Sequence, residues 1–261
     1  MKLLFIFLLT TFCLFTKLNA QNNRLTTREN IGWYNYFGTF RLSKKVSLHT
    51  EYQWRRDNFV TEWQQSLLRV GANYQLNPGI LLRAGYGWIE TFAYGEIPIN
   101  GQGKDFTEHR LFQMVQLGHR EGMADFTHRF MLEQRFVGRY STTDLDKEDE
   151  FPLLHRMRYM FRIQLPLIGN EIKDKTPYIT MFDEVLIGFG KNVNANVFDQ
   201  NRLSFLLGYR FNKKIRLEAG YLSQIVQFGR QLNGKNIFQY NNGLIVNANF
   251  SFDVTGKKNQ G

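Results

Sequence analysis

Alternation of apolar and polar residues dominates the chain. From Val46 the even positions read Val46, Leu48, Thr50, Tyr52 and Trp54, and the odd ones Ser47, His49, Glu51, Gln53 and Arg55. A period of two puts one set on each face of a β-strand. The pattern returns in Met157, Tyr159, Phe161, Ile163 and Leu165 against Arg156, Arg158, Arg162 and Gln164. Leu203 to Phe211, Ile215 to Tyr221 and Leu244 to Phe252 repeat it. Read throughout, it predicts strands over 30–42, 46–56, 62–76, 80–92, 106–117, 125–138, 153–165, 178–189, 198–211, 215–227 and 237–252. Tight turns are expected at Ser43-Lys44-Lys45, Asn77-Pro78-Gly79 and Asn212-Lys213-Lys214. All five prolines fall in turns, loops or strand ends, as a ladder of amide donors requires.

The first 20 residues are different. Lys2, an apolar run from Leu3 to Phe15 and the sequence Leu18-Asn19-Ala20 form a secretory signal with cleavage expected after Ala20. Thirteen helical residues rise only about 20 Å, short of a hydrocarbon core of roughly 30 Å. The domain reading is therefore a cleaved signal over 1–20 and one barrel domain over 21–261. The single cysteine, Cys13, lies in the signal, so the exported chain has neither a disulfide framework nor a cysteine-based metal site.

The fold class expected is all-β: an antiparallel transmembrane β-barrel of about 12 strands, with 10 as the alternative. Eleven strands are counted, but bacterial barrels have even numbers, so residues 21–30 are expected to hold a short twelfth. A soluble periplasmic ligand-binding barrel shares the alternation. Three features favour the membrane. The strands run about 11 to 16 residues, long enough to cross a bilayer at a tilt. The polar face carries consecutive arginines, which suits a wet or ion-paired lumen. Aromatic residues, among them Trp33, Tyr34, Trp54, Trp63, Tyr74, Trp88, Phe92, Tyr178, Tyr209 and Tyr240, gather near strand ends, where membrane interfaces favour them. Loop lengths put turns 43–45, 77–79, 118–124, 166–177 and 212–214 in the periplasm, and 57–61, 93–105, 139–152, 190–197 and 228–236 outside.

Several strings carry a family resemblance: Glu108-His109-Arg110, His128-Arg129 followed by Glu133-Gln134-Arg135, Phe198-Asp199-Gln200-Asn201-Arg202, and Gly220-Tyr221. With the opening Trp33 strand and the Ser43-Lys44-Lys45 turn, they resemble the domain-of-unknown-function family 2490 of predicted bacterial outer-membrane β-barrel proteins. The resemblance covers roughly residues 30–252 and implies a Gram-negative outer-membrane location. It brings no activity, cofactor or catalytic residue.

Charge supplies the candidate chemistry. The chain has 33 Lys and Arg against 23 Asp and Glu, a formal +10. Strand parity sends twelve arginines inward: Arg55, Arg69, Arg83, Arg110, Arg129, Arg135, Arg156, Arg158, Arg162, Arg202, Arg210 and Arg216. The inward acids are Glu51, Glu108, Glu133, Glu184 and Glu218. A tube lined by guanidinium groups attracts anions and can fork onto carboxylate or phosphate. The same residues could instead fill the lumen with Arg/Glu networks. The function expected is a structural role or a narrow, porin-like, anion-preferring passage or ligand pocket, without catalysis or cofactor. The expected partners are outer-membrane lipid and lipopolysaccharide, the barrel insertion machinery and a small anionic solute. Nucleic acid is excluded, because the arginines alternate into a lumen and the chain is exported.

The competing enzyme class is an outer-membrane lipid hydrolase using a rim histidine. His109 and His155 point outward near the loop ends of their strands, with Ser141 and Ser223 at that level, yet no element holds a serine beside either. The acidic run Asp144 to Glu150 lacks calcium-loop spacing and reads as a solvated loop.

Overall fold

The computed structural model describes residues 23–193 and 196–255; the signal segment lies outside the described residues. Eleven strands follow one another: β1 (Arg24–Arg41), β2 (Val46–Asp57), β3 (Glu62–Asn77), β4 (Ile80–Thr91), β5 (Phe106–Glu121), β6 (Ala124–Val137), β7 (Leu153–Pro166), β8 (Thr176–Phe189), β9 (Phe198–Arg210), β10 (Ile215–Leu232) and β11 (Lys235–Asp253). Each pairs antiparallel with the next, and β1 pairs with β11 to close the barrel.

That closing seam is parallel, from Arg24↔Asn236 to Arg41↔Asp253. It explains the count. A meander reverses direction at every hairpin, so in an odd-numbered barrel the first and last strands run the same way. Their edges are satisfied by parallel pairing, and the expected twelfth strand is not needed: residues 24–30 lengthen β1 instead. Glycine permits the close approach there, since a Cβ on Gly243 would lie 1.8 Å from the Ile31 carbonyl oxygen.

Alternation becomes an inside-out distribution. Leu68, Val70, Tyr86 and Trp88 are exposed on the outer wall, while Arg69, Arg110, Glu133 and Arg158 are buried in the interior. Aromatic rings gather on the outside near both ends. Near one end Tyr34, Trp54, Trp63 and Phe92 form a chain of centroid contacts of 5.3, 6.2 and 5.2 Å. Near the other, Phe40 stacks on Phe252, Tyr209 meets Phe211 and His119 stacks on Phe126.

Two residues expected among these rings point inward. Trp33 is 3% exposed and Tyr178 1%. In β1 the inward parity runs Ile31, Trp33, Asn35, which places the indole in the lumen. The Tyr178 ring lies over its cross-strand partner Gly208, where a Cβ would be only 2.4 Å away, and its hydroxyl donates to Glu218 at 3.1 Å.

The two longest connections, 92–105 and 138–152, share one end of the barrel, the loop end. The loop expected over 228–236 is instead a two-residue Asn233-Gly234 hairpin, both residues at positive φ (52° and 72°), and β10 and β11 run on to meet it. An Asn-Gly pair with both φ values positive twists with the flanking strands, which is why no longer loop is needed.

Candidate functional site

The lumen is built in three levels, beginning with a lid at the loop end. The connection 92–105 folds inward. Tyr94 is buried, its hydroxyl donates to Gln239 at 2.7 Å, and Asn241 donates to that hydroxyl at 3.4 Å. Burial in this apolar and amide setting pushes the Tyr94 phenol up to about 12. Glu29 accepts from the Glu96 amide, while Arg230 donates to the carbonyls of Pro98 and Ile99. Ile97 and Ile99 pack on Val226, Phe228 and Ile237. Beside this lid, Leu67, Ile89, Gln239 and Asn241 are fully buried.

Below the lid lies an ionic lattice centred on Glu133, which is 0% exposed. It receives Arg156 at 2.6 Å, Arg158 at 2.8 Å, Arg69 at 3.3 Å and Arg110 at 3.8 Å. Glu108 is forked by Arg135 at 2.7 and 3.0 Å and also bonds Arg110. Asp199 accepts from Arg156 at 2.5 Å. An ionised carboxylate offers about four acceptor sites, so each one here serves two or more planar guanidinium forks. The lattice joins β3, β5, β6, β7 and β9 across the interior.

Asp199 escaped the parity reading, which turned it outward. The β8–β9 register shifts between Leu186 and Ile187, so Asp199 sits in a bulge that re-aims its side chain into the lumen. With it, Glu51, Glu108, Glu133, Glu184, Asp199 and Glu218 face the arginines, and Glu29 and the buried Asp57 stand beside the lid.

The third level is a pouch of about 440 Å³ that reaches Thr39, Gln116, Arg216 and Ser251 near the turn end. Its lining contains eight arginines (Arg55, Arg69, Arg83, Arg129, Arg158, Arg162, Arg202 and Arg216) and only three acids, Glu51, Glu184 and Glu218. Arg69 and Arg158 also reach Glu133 and are shared with the lattice above, whose other members are Arg110, Arg135 and Arg156 with Glu108, Glu133 and Asp199. With the two shared arginines set aside, the pouch still has six arginines to three acids.

Some pouch arginines are partnered. Glu184 binds Arg158 and Arg129 at 2.8 Å each and Arg202 at 3.4 Å. Glu51 binds Arg69 at 2.9 Å, and Glu218 binds Arg162. Three are not paired with an acid among the described residues. Arg55 donates only to Gln53 and Gln65, and Arg83 only to Asn73, while Arg216 makes no hydrogen bond or ion pair. Arg55 is the most telling of these. It is 5% exposed, and its guanidinium lies 3.7 Å over the Trp33 ring, with Arg202 at 5.1 Å from the same ring. Buried Nε–H groups of Arg69, Arg129, Arg162 and Arg202 also lack acceptors. Such donors and an uncompensated buried cation each cost free energy that a bound anion would recover.

Of the residues named from the sequence, Glu51, Arg69, Arg83, Arg129, Arg158, Arg162, Arg202, Arg216 and Glu218 line the pouch, while Glu133, Arg135 and Arg156 belong to the lattice. Arg210 stands apart from the pouch, bonding the Ile172 carbonyl and facing Asp174 in the 167–175 turn. On the outer wall His109 bonds Tyr86 and lies tilted against Phe151, His155 stacks on Phe189, and Ser141 donates to Asp149. That bond holds the Asp149 carboxyl below its ordinary range. Among the described residues neither histidine bonds a serine.

Comparison with known families bears on the same span of strands. The family whose sequence profile covers residues 30–233, most of the barrel, is described as "Protein of unknown function (DUF2490)". The chain belongs to the DUF2490 family. No curated protein and no solved structure matches it. The DUF2490 barrel combines a lid, an ionic lattice and a cationic pouch.

Proposed function

We propose that this DUF2490 barrel sits in the outer membrane of a Gram-negative bacterium and that its lumen is a single-ended pocket for anions, entered from the periplasmic turn end. The observation that carries the reading is Arg55, a buried guanidinium without an acidic partner that lines a 440 Å³ cavity holding eight arginines and three acids. The volume falls in the range of small-molecule sites. Lid and lattice fill the loop half, which favours a pocket over a passage. The outer wall of exposed apolar residues between aromatic rings near both ends supports the membrane setting, with lipid and lipopolysaccharide as neighbours and the insertion machinery as assembly partner. No catalytic role is assigned.

The test is planar-bilayer recording of the refolded chain under a salt gradient, with gel migration compared before and after boiling. A heat-modifiable band and a silent bilayer are expected, and deletion of 93–105 with Arg158→Glu in the lattice should open steps. Steady steps from the unaltered chain would overturn the closed pocket. An unchanged band with recovery in the soluble fraction would overturn the membrane setting.

A further inference from the structure

The pouch is not uniformly polar. Between its arginines stand Trp33 and Ile245, which cluster with Phe182 on one wall. On the opposite wall stand Phe112 and Met131, with Leu81 against them. A hydrated inorganic anion gains nothing from these walls. An organic body does, because transferring apolar surface from water onto them is favourable. At the deep end Arg55 and Arg202 flank the Trp33 ring, so a charged head bound there would place an attached body along the Trp33–Phe182–Ile245 wall.

We infer that the ligand of the pouch is an amphipathic organic anion, a compact carboxylate, phosphate or sulfonate head joined to an aromatic or aliphatic body, which enters head-first from the turn end and docks its head at Arg55 and Arg202. The inference rests on the anion-pocket reading and adds the apolar half of the ligand. The head exploits donors already present: two forks of Arg55 now satisfied only by neutral amides, and the acceptor-less Nε–H of Arg202. A planar guanidinium fork matches such a head in two-point contact. Arg83 and Arg216, both without an acidic partner, line the way in and steer the approaching charge.

Trp33 provides the readout. The chain has four tryptophans, and the other three, Trp54, Trp63 and Trp88, belong to the outer wall and its aromatic rings. Trp54→Phe, Trp63→Phe and Trp88→Phe together leave Trp33 as the sole indole. This chain, in nanodiscs of zwitterionic lipid, is titrated with 4-phenylbutyrate, its uncharged amide 4-phenylbutanamide, and sodium sulfate. Saturable change in Trp33 emission is expected with 4-phenylbutyrate, at a Kd at least about tenfold below those of the amide and sulfate. A Trp33→Phe chain that keeps the outer tryptophans should not respond. Arg55→Gln should weaken 4-phenylbutyrate by about tenfold and leave the amide unchanged. Arg216→Gln, at an exposed partnerless site, should fold normally and weaken it by about two- to threefold. Sulfate binding as tightly as 4-phenylbutyrate would overturn the amphipathic ligand while the anion pocket stands. Equal affinity for the amide, or no response to any probe, would overturn both.

Discussion

Replacing Glu133 with glutamine asks directly whether the lattice holds the barrel together. The substitution keeps shape and removes one charge from a fully buried site contacted by Arg156, Arg158, Arg69 and Arg110. Breaking an isolated buried pair costs about 3–5 kcal/mol, because the partner charge is left uncompensated. Each arginine here retains another carboxylate: Asp199 for Arg156, Glu184 for Arg158, Glu51 for Arg69 and Glu108 for Arg110. That spares the full penalty per arginine, but four cations then share one fewer negative charge, and two short charge-assisted contacts become weaker or are lost. Such bonds contribute about 1.5–3 kcal/mol each. The expected loss is about 3–5 kcal/mol, read by denaturant unfolding in lipid vesicles with tryptophan emission and gel mobility as separate probes. Arg55→Gln is the contrasting case. It removes an uncompensated buried cation, and relief of that charge offsets the lost stacking on Trp33, so stability should stay within about 1 kcal/mol of the parent. A Glu133→Gln loss under about 1 kcal/mol, or an Arg55→Gln loss equal to it, would refute this account of where charge is balanced.

Other parts of the barrel give independent expectations. Gly243→Ala places a Cβ 1.8 Å from the Ile31 carbonyl oxygen, with backbone on both sides of the seam, so the heat-modifiable fraction after refolding should fall sharply. Gly234→Ala meets open space but forces an alanine to a φ of 72°, costing about 1–2 kcal/mol of unfolding free energy without loss of assembly. Tyr94→Phe takes from the buried Gln239 carbonyl its 2.7 Å donor and leaves it Asn241 at 3.4 Å, which should loosen the lid by about 1–3 kcal/mol and raise the rate of protease cleavage within 92–105 of the refolded chain.

The strands and the inward side of each arginine are legible in the sequence because both rest on period two, which survives errors at strand ends. Three things escape it. The count fails because evenness is a habit of bacterial barrels, not a condition of closure; a parallel β1–β11 seam satisfies both edges equally well. Asp199 is lost because one extra residue in a bulge inverts parity locally, and nothing in Phe198-Asp199-Gln200 marks the bulge before its partner strand is placed. Trp33 and Tyr178 are misread because an aromatic near a strand end suggests an interface, whereas parity against Asn35 in β1 and Thr180 in β8 sends both inward. The Asn233-Gly234 pair is itself a strong turn signal, and its two positive φ values show that two residues suffice where a loop over 228–236 is expected.

The distribution of acids along the barrel axis argues that the pouch is more than incomplete filling. An eleven-stranded barrel lies between the side-chain-filled barrels of eight strands and the open ones of sixteen, so its interior must be occupied by side chains, water or solute. In the loop half the chain solves this with a lattice in which every arginine meets at least one carboxylate, under a folded-in lid. If filling were the only requirement, the turn half would use the same solution, or apolar packing, which buried ion pairs seldom outperform in stability. It instead keeps eight arginines with three acids around a cavity and leaves Arg55 stacked on Trp33 with only amide acceptors. Net positive charge held in a low-dielectric tube raises the free energy of a barrel, and a bound anion would offset that cost. A layer in which every arginine is paired, set directly above one in which Arg55, Arg83 and Arg216 are not, is the arrangement that the proposed anion site requires.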